Sequence, residues 1–482
     1  MSFGGVFAIA FVIFIVVICY EGVSSARRNK GERDFLVAGS RMGAWIGGAS
    51  IAATQMSAGT FVGTLGIHYL TGSSFLAATF GIWAAFLIVG FVIAPRLRRY
   101  IRRRGALTFP DFISDRFGPK APRIVVSVLL IGAYTVFLSA QYQAGGVIFG
   151  TVFGIPFYWG SIALMVLIVL YTVVGGMTAV MRTDLIQQVV MVGGVIIGVP
   201  FAIHNAGGLA NLGSSFADVA PDFAGWHYGW ADLVGFLFGF GFAALCAPVL
   251  LMRYYAMRDE QTCRRGAVVS VLFTMMTFGS VAIIGMCVRV IRPNLDNADS
   301  ASSIFAMDIL PPVVGAVLLT AVLAAVLSTV DSVLLVIGPA VSHDIYANLI
   351  RPETDERSRM KVNRAATVVL GVLPILLTFA QLSVVQFIVL AYAALVGSTV
   401  FAPLIFGLFW RKANRAGAVA SMISGFSVCL FWYIIGQPVV APVIPGIAVS
   451  VLAMLVVSVR TQRPEEGLLS VFFDPVAESE RV

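Results

Sequence analysis

Continuously apolar stretches of about 20 residues recur along the whole chain, and no other feature constrains the fold as strongly. The hydrocarbon core of a bilayer is about 30 Å thick, and an α-helix of about 20 residues crosses it with its backbone hydrogen bonds satisfied internally. Transmembrane β-strands would alternate apolar and polar residues in segments of about ten, which these stretches do not. Of the 482 residues, 59% are hydrophobic and 12% are charged, against about 25% charged in soluble domains. The sequence therefore predicts an all-α membrane protein.

The apolar stretches predict thirteen transmembrane helices. The predicted spans lie near residues 4–20, 44–70, 73–95, 123–149, 157–175, 184–204, 231–252, 267–290, 311–342, 363–383, 385–410, 416–435 and 443–459.

Alternate connecting segments then carry nearly all the basic residues. These are Arg27, Arg28, Lys30, Arg33, Arg41, Arg96, Arg98, Arg99, Arg102, Arg103, Arg104, Arg253, Arg264, Arg265, Arg411, Lys412 and Arg415. Only Arg289 and Arg292 fall on the opposite side by this count. Basic loops stay in the cytoplasm, so we expect the N-terminus outside and the C-terminus inside, which requires an odd number of spans. The net charge of +8 is thus a topology signal, and we expect no nucleic-acid partner.

Polar groups interrupt two of these spans. The second contains Gln55, Ser57 and Thr60, and the ninth contains Ser328 and Thr329. Na⁺ is a hard cation that takes oxygen ligands, and hydroxyls together with carbonyls from an unwound helix can provide them. By chemistry alone, the two hydroxyls of the ninth span could equally bond to carbonyls four residues back. Small residues in the second span could equally serve close helix packing.

Two acidic residues lie in or beside apolar spans. Asp331 falls within the ninth span, and Asp184 opens the sixth. Intramembrane acids are costly and therefore indicate function. Asp184 could instead cap a helix N-terminus or pair with Arg182. No span carries an Arg or Lys near its middle, so a substrate carboxylate would have to meet backbone amides of an unwound span.

Four stretches carry a resemblance to the sodium:solute symporter family. They are DFLVAGSRMG at 34–43 running on to Ser57, YTVVGGMTAVMRTD at 171–184, STVDS at 328–332 with Leu334, and GLFWRKANRAGA at 407–418. The family includes sodium symporters for proline, pantothenate, monocarboxylates, sialic acid and sugars. The resemblance implies a LeuT-like core of two inverted five-helix repeats, with one extra N-terminal helix and two C-terminal helices.

The resemblance divides the chain into five parts. They are an extra helix and cytoplasmic loop (1–43), the first repeat (44–204), an outer loop and the second repeat (205–410), two C-terminal helices (411–460) and a cytoplasmic tail (461–482).

The resemblance also implies a sodium site. Its ligands would be the carbonyl oxygens of Ala53, Met56 and Ala325 and the hydroxyls of Ser328 and Thr329. Some members use a second sodium site, which here would comprise Asp184, Asp331 and Ser332.

For the substrate site, the family's helices and the polar residues of the fourth span suggest seven positions, Gln55, Ser57, Thr60, Thr79, Tyr134, Gln141 and Phe240. Tyr134 and Gln141 could instead bond between helices. Sugar carriers place amide and carboxylate groups near the positions of Thr60, Thr79 and Leu390 to bind sugar hydroxyls. Two threonines and a leucine at these positions disfavour a polyhydroxylated substrate here. The substrate is expected to be a monocarboxylate, an amino acid or a pantothenate-like molecule.

Other classes of protein fit the sequence less well. An enzyme would need clustered catalytic groups, and the four histidines are dispersed at His68, His204, His227 and His343. Two alternatives within the transporter fold stay open, a proton-coupled transporter and a transporter-like sensor. The expectation is a monomeric, multi-pass protein of a bacterial inner membrane, with Na⁺ as its coupling ion and the lipid bilayer and a small solute as its partners.

Overall fold

The computed structural model describes residues 2–26, 31–226, 229–380, 385–436, 441–464 and 466–474, apart from the side chains of residues 171, 173–175 and 386. Arg27, Arg28, Lys30, His227 and residues 475–482 of the predicted tail lie outside the described residues. Within the described ranges the chain is helical, with one isolated bridge between Met42 and Met257 instead of a sheet. The predicted all-α fold is confirmed.

Nine helices make up the first part of the chain. They are α1 (Phe3–Ala26), α2 (Glu32–Val37), α3 (Ala44–Gln55), α4 (Leu65–Thr71), α5 (Leu76–Ile88), α6 (Ala94–Arg104), α7 (Phe109–Phe117), α8 (Ala121–Phe153) and α9 (Phe157–Asn205). π-Helical turns at Gly59–Thr64 and Val89–Ile93 lead into α4 and α6, and short 3₁₀ turns lie at Ala38–Ser40 and Gly72–Phe75.

Twelve helices follow. They are α10 (Leu212–Val219), α11 (Trp230–Cys246), α12 (Pro248–Ala256), α13 (Glu260–Ile291), α14 (Ala301–Ile304), α15 (Pro312–Pro339), α16 (Glu356–Val372), α17 (Ile375–Phe379), α18 (Val385–Phe409), α19 (Arg415–Ile434), α20 (Val443–Arg460) and α21 (Glu466–Phe473). A 3₁₀ turn at Ala298–Ser300 precedes α14, and π-helical segments at Phe305–Ile309 and Ala340–Ile350 follow α14 and α15.

Among the described residues, ten helical segments are long and apolar enough to cross a membrane, or eleven if the bent pair α11–α12 is one span. A shorter apolar helix lies at Phe157–Leu170. Helix breaks explain part of the difference from the thirteen predicted spans. The predicted second span is divided between α3, which has only 12 residues, and the segment Gly59–Arg104. The multi-pass fold agrees with the sequence, and the count of thirteen stays a prediction.

Two helices are broken at corresponding places in the two halves of the chain. α3 stops at Gln55, and Met56 is extended, with φ −75° and ψ 120°, before helix resumes at Gly59. α11 and α12 meet at Ala247, which is also extended, with φ −60° and ψ 118°, and their axes differ by 41°. Pro248 begins α12, where its missing N–H leaves no helical hydrogen bond unmade. The two breaks fall in the first span of each predicted five-helix repeat, as in transporters built from inverted repeats.

α9 is also interrupted, at Gly176. Its φ of 72° lies in the left-handed region, and a Cβ there would come within 2.6 Å of the Phe35 ring. Glycine is therefore required both by the backbone and by the close approach of α2. The kink separates the first part of α9 from the segment that carries Asp184.

The centre of the bundle is α15. Every residue from 318 to 339 is buried, and a helix that is apolar and covered on all sides belongs to the interior of a membrane bundle. α15 packs against α9, α1, α8 and α16 and touches α3 near its break. The ninth predicted span is thus placed where its polar residues can only meet other helices.

Candidate functional site

Five oxygens form a compact cage between the break in α3 and the middle of α15. The Ser328 Oγ lies 3.1 Å from the Ala53 carbonyl oxygen and 3.0 Å from that of Ala325. The Thr329 Oγ1 lies 2.9 Å from the carbonyl oxygens of both Met56 and Ala325. All five residues are fully buried. The structure thus brings together the complete set of predicted sodium ligands, although their occupancy by sodium stays a prediction.

The break in α3 explains why two of these carbonyls are available. In an unbroken helix, Ala53 and Met56 would accept from the amides of Ser57 and Thr60. Here the Ser57 amide donates to the Thr60 Oγ1, and the Thr60 amide donates to the Ser57 carbonyl. The two freed oxygens therefore point to α15, where consecutive hydroxyls meet them. Neutral oxygens of this kind are suitable ligands for a hard monovalent cation.

Hydrogen bonding of the two hydroxyls within α15, the alternative to a sodium site, is also present. Ser328 and Thr329 both approach the carbonyl of Ala325, three and four residues earlier on α15. The hydroxyls lie between that carbonyl and the oxygens of α3, so local bonding and a shared cage coexist.

A second polar cluster lies beside the cage and centres on Arg253. Its Nη2 lies 3.5 Å from the Asp184 Oδ2 and also bonds to the Ser332 Oγ. Its Nε lies 3.3 Å from the Ser50 Oγ, which donates to Asp184 at 2.5 Å. The side chains of Asp184 and Arg253 are fully buried. The guanidinium therefore joins α12 to α3, α9 and α15.

This cluster corrects two sequence-based interpretations. The sequence places Arg253 in a basic connecting segment, yet Arg253 lies inside α12 with no exposed side-chain surface. Asp184 neither caps a helix nor pairs with Arg182, because it lies within α9 and Arg182 bonds to Glu21 at 3.3 Å. The predicted boundary of the seventh span at 252 stopped one residue short of the arginine.

The residues of the predicted second sodium site do come together. Ser332 Oγ lies 3.3 Å from Asp331 Oδ1 and 3.3 Å from the Thr54 hydroxyl, and it donates to the Ser328 carbonyl at 2.5 Å. Within the described part of the chain, one oxygen each of Asp184 and Asp331 has no hydrogen-bond partner. Arg253 already places a positive charge beside these oxygens. Binding of a second sodium ion stays a prediction.

Two adjoining cavities lie next to the cage. Five of the seven predicted substrate positions line them, Gln55, Ser57, Thr60, Thr79 and Phe240. Aromatic and aliphatic side chains complete the walls, including Phe75, Phe278, Phe137, Tyr392 and Val389. Leu390 is not among the lining residues, and its neighbour Val389 takes that place.

The other two predicted positions, Tyr134 and Gln141, line neither cavity among the described residues. The Gln141 Oε1 accepts from the Ala58 amide at 2.9 Å, and the Tyr134 hydroxyl accepts from the Val249 amide at 3.1 Å. Each side chain therefore caps the start of the helix that follows a break. The geometry fits the interhelical alternative, and direct substrate contact stays a prediction.

Sequence reasoning missed the aromatic pair Phe137 and Tyr392. Their rings stack with centroids 4.1 Å apart at 14°, and both line the larger cavity. Phe137 lies between Tyr134 and Gln141 on α8, at four residues from the latter, so helical spacing could have placed it on the same face. No local signal pointed to Tyr392, which reaches the cavity through the packing of α18.

An ionic network closes the end of the bundle that holds the basic loops. Arg123 bonds to Asp111 at 2.9 Å and to Asp344 at 3.3 Å, and His343 lies 3.3 Å from Asp111. Burial opposes ionisation of Asp111, but His343 and Arg123 outweigh it and hold the pKa of that carboxyl well below its ordinary value. The network ties α7 to α8 and to the segment after α15.

A second part of this network surrounds Glu32. Arg359 bonds to Glu32 at 2.7 Å, and His343 lies 3.5 Å from it. Partial burial of Glu32 raises its pKa, but these partners outweigh that effect and lower the pKa overall. α2, α16 and the segment after α15 are thereby linked at the same end.

The fold and the two broken helices define a membrane transporter of the LeuT-like class. A solved structure described as a substrate-bound, outward-open Na⁺-coupled sialic acid symporter with a novel Na⁺ site matches 96% of this chain and all of its own, with TM-score 0.81 and 18% identity. Mhp1, a transporter of the nucleobase-cation-symport-1 family, matches 92% of this chain and 98% of its own, with TM-score 0.58 and 13% identity. MhsT in complex with L-phenylalanine covers 86% of this chain and 98% of its own, with TM-score 0.55 and 13% identity.

The sequence comparisons define the family. The model of the sodium:solute symporter family matches residues 35–425, and the chain belongs to this family. Sodium/proline symporters of Staphylococcus aureus strains JH9 and USA300 are 28% identical over 480 residues, covering 94% of this chain and 92% of theirs. The chain is therefore a symporter rather than an enzyme, and Na⁺ is its coupling ion.

Proposed function

We propose that this protein imports a small organic solute with one carboxylate, using Na⁺ bound in the cage of Ala53, Met56, Ala325, Ser328 and Thr329. The observation that carries the proposal is the shared break in α3. Gln55 and Ser57 line both cavities, and Met56 between them provides a cage oxygen. An ion that orders this segment also orders the cavity wall, and such coupling must be reciprocal.

The cavity walls support a solute that is compact and largely apolar. Among the described residues, no charged side chain lines either cavity, and hydroxyl and amide groups are confined to Thr54, Gln55, Ser57, Thr60, Thr64, Thr79 and Tyr392. This composition favours one polar end on a small apolar body over a polyhydroxylated sugar. A monocarboxylate, an amino acid or a pantothenate-like molecule has that form, and proline, which the named relatives transport with sodium, is a member of the class.

A carboxylate would bind beside the start of the helix that follows the α3 break. That helix start carries a partial positive charge. At present the Ser57 Oγ accepts from the Gly59 amide at 3.0 Å and the Thr60 Oγ1 accepts from the Ser57 amide. A bound carboxylate would take over these amides and accept hydrogen bonds from the two freed hydroxyls.

Alternating access around this site follows from the arrangement of the broken helices. Sodium in the cage would bridge α3 and α15 and stabilise the arrangement in which the cavity is formed. Release of sodium would remove that bridge and weaken solute binding by the same free energy. Uphill import is then driven by an inward sodium gradient, provided that both ligands leave together on the cytoplasmic side.

The orientation we propose places the N-terminus outside and the C-terminus in the cytoplasm of a bacterial inner membrane. Arg103 in the basic loop bonds to the Val471 carbonyl of α21 at 3.0 Å, so that loop and the C-terminal helix share one side. Glu32 and Arg359 meet at the same end. The positive-inside rule makes this side cytoplasmic. A monomer is sufficient for the proposed mechanism, because every proposed ligand comes from one chain.

Uptake into proteoliposomes tests the proposal. Radiolabelled proline, pantothenate, a short monocarboxylate and glucose are compared under an inward sodium gradient, a matched potassium or choline gradient, and a proton gradient without sodium. We expect sodium-dependent accumulation of one of the first three. Accumulation that follows protons and ignores sodium would contradict the proposal, as would sodium-driven uptake of glucose alone.

Site variants connect the uptake to this cavity. Phe240→Ala should raise the KM for solute while leaving the sodium requirement in place, because Phe240 lines both cavities and provides no oxygen to the cage. Thr274→Ala is the matched control, because Thr274 is a buried α13 residue whose hydroxyl bonds to its own helix at Ser270. Equal effects of the two substitutions would remove the cavity from the solute pathway.

A further inference from the structure

The predicted tail contains the apolar run GLLSVFF at 467–473, which makes up most of α21 and lies on α6 and α7. The Phe472 ring stacks on the Tyr100 ring of α6 with centroids 4.9 Å apart, and it meets the Phe112 ring of α7 edge-on at 5.7 Å. Tyr100 and Phe112 are buried, and the Tyr100 hydroxyl donates to the Asp115 Oδ2 of α7 at 2.9 Å. α21 therefore covers a direct contact between α6 and α7 and adds an aromatic ring that stabilises it.

Basic residues hold the last turn of α21. The Arg103 Nη1 of α6 donates to the Val471 carbonyl at 3.0 Å, and a carbonyl in the last turn has no amide partner within its own helix. The guanidinium groups of Arg116 on α7 and of Arg411 lie over the Phe473 ring, 5.6 and 5.3 Å from its centre. A cation in this position is attracted to the face of the ring. α21 is thus held by α6 on one side and by α7 and the residues after α18 on the other.

α6 and α7 are anchored to different parts of the bundle. Arg98 of α6 donates to the carbonyls of Tyr255 and Arg258 at 2.8 and 3.0 Å, at the end of α12, which is the second half of a broken span. Arg116 of α7 instead donates to the Gly407 carbonyl of α18 at 2.8 Å, and the ionic network bonds α7 to α8. Alternating access in such folds moves one group of helices as a rigid body against the other. Opening of the end that holds the basic loops would therefore pull the α6 contacts of α21 away from its α7 contacts.

The docking of α21 is shallow. None of the residues of this helix is fully buried, and the rings of Phe472 and Phe473 provide its main contacts with the bundle. Segments with few buried contacts open at a low free-energy cost compared with a packed core. α21 can therefore detach and dock again without disturbing the core.

We propose that α21 is a detachable strap that holds the end of the bundle with the basic loops closed. While α21 is docked, it stabilises the closed arrangement of α6 and α7. It must release one of these helices before that end opens, so the strength of its docking sets how often the end opens. This inference goes beyond the proposed function, because it is independent of which ion and which solute the site binds.

Hydrogen–deuterium exchange of the purified full-length chain in detergent, measured by mass spectrometry, tests the strap. The segment Ala340–Ile350 carries His343 of the ionic network, so its amides report on opening of that end. We expect these amides to exchange on the order of tenfold faster in Phe472→Ala than in wild type, because two aromatic contacts of the closed arrangement are lost. Amides at 298–304, which follow the opposite end of α13, should exchange at the wild-type rate.

Three further variants separate the ring contacts from other effects on α21. Ser470→Ala is the matched control, because the Ser470 hydroxyl bonds to the Gly467 carbonyl of α21 itself, and it should leave exchange at Ala340–Ile350 unchanged. Phe472→Tyr keeps the ring and should restore the wild-type rate. Arg103→Gln removes the bond between α6 and the last turn, and it should accelerate exchange in the same direction as Phe472→Ala.

The pattern of exchange along the chain decides between a strap and simpler roles. Faster exchange confined to α21, α6 and α7 would show a docked helix that does not restrain opening, and it would overturn the proposal. Faster exchange at 298–304 as well would mean a general loss of stability, which also contradicts it. An unchanged rate at Ala340–Ile350 in both Phe472→Ala and Arg103→Gln would leave α21 without a role in closing this end.

Discussion

Two polar clusters lie side by side between α3 and α15, and one is built from neutral groups whereas the other is built around full charges. The cage of Ala53, Met56, Ala325, Ser328 and Thr329 consists of five neutral oxygens. The cluster one turn away uses full charges, with Arg253 between Asp184 and Ser332. The difference follows from the break. Carbonyls of α3 are free only near Met56, whereas Ser50 lies in intact helix where backbone oxygens are already bonded. In the second cluster the oxygens near the guanidinium Nη2 and Nε therefore come from the side chains of Asp184, Ser332 and Ser50.

Loss of Asp184 should have the largest effect on stability. Asp184→Ala leaves the guanidinium of Arg253 buried without its counter-charge, which typically costs about 3–5 kcal/mol. Thermal unfolding of the purified protein in detergent measures this. The control is Asp308→Ala, which removes an exposed partner 3.7 Å from Arg292 and should cost less than about 1 kcal/mol. Similar losses of stability in Asp184→Ala and Asp308→Ala would show that the buried pair of Asp184 and Arg253 does not stabilise this cluster.

The neutral cage should affect ion binding more than folding. Ser328→Ala and Thr329→Ala each remove one of the five oxygens, and we expect apparent sodium affinity to fall at least about tenfold, equivalent to about 1.4 kcal/mol. The sodium dependence of uptake or of ²²Na⁺ binding gives the value. Thr274→Ala, which removes a buried hydroxyl elsewhere, should leave it unchanged. Unaltered sodium affinity in both cage variants would remove these hydroxyls from ion binding.

The two helix breaks should respond differently when their caps are removed. Gln141→Leu leaves the Ala58 amide unsatisfied, and a lost cap of this kind costs about 1–3 kcal/mol. Because Ala58 lies two residues after Met56, sodium affinity should also weaken. Tyr134→Phe uncaps Val249 at the other break, which provides no cage oxygen, so its effect on sodium should be smaller.

Thr135→Val on the same helix is the control for both caps, since the Thr135 hydroxyl bonds to the Ile131 carbonyl in its own helix. Equal losses of sodium affinity in Gln141→Leu and Tyr134→Phe would mean that the cap at the α3 break has no special connection to the cage.

The ionic network around Asp111 should give the smallest effect, because Arg123 and Asp111 keep some exposed side-chain surface whereas Asp184 and Arg253 keep none. The pKa of Asp111 is lowered in the folded protein, so its contribution to stability is present above the ordinary carboxyl pKa near 4 and is lost as pH falls through the folded value. The thermal midpoint should therefore drop at pH below about 4, and Asp111→Asn should make that drop shallower. Asp308→Asn serves as the exposed control. An identical acid profile in Asp111→Asn and wild type would exclude Asp111 as a source of the pH dependence.

The sequence predicted the features that depend on local composition. Apolar length predicted the helical bundle, and consecutive hydroxyls at Ser328 and Thr329 indicated oxygen ligands on one helix. The cage itself needed the resemblance to a family, because bare chemistry could not distinguish a shared site from bonding within α15. In the structure both occur at once.

Features that depend on tertiary packing could not be predicted. Arg253 follows an apolar run and precedes polar residues, so its local sequence is that of a cytoplasmic boundary. Its burial depends on the bend at Ala247, which aims α12 at Asp184. In the same way, Tyr134 and Gln141 are polar residues on an apolar helix, and only the positions of the two breaks show that they bond to backbone amides.

Both caps lie on one helix, and this has a mechanical consequence. Tyr134 and Gln141 are seven residues apart on α8, which is two turns or about 10 Å along its axis, so they project from the same face. A rotation of α8 about its axis would detach both caps together, and a slide along the axis would displace both by the same distance. The second half of each broken helix is therefore connected to the same rigid helix, and a rotation of α8 about its axis or a slide along it affects both caps at once.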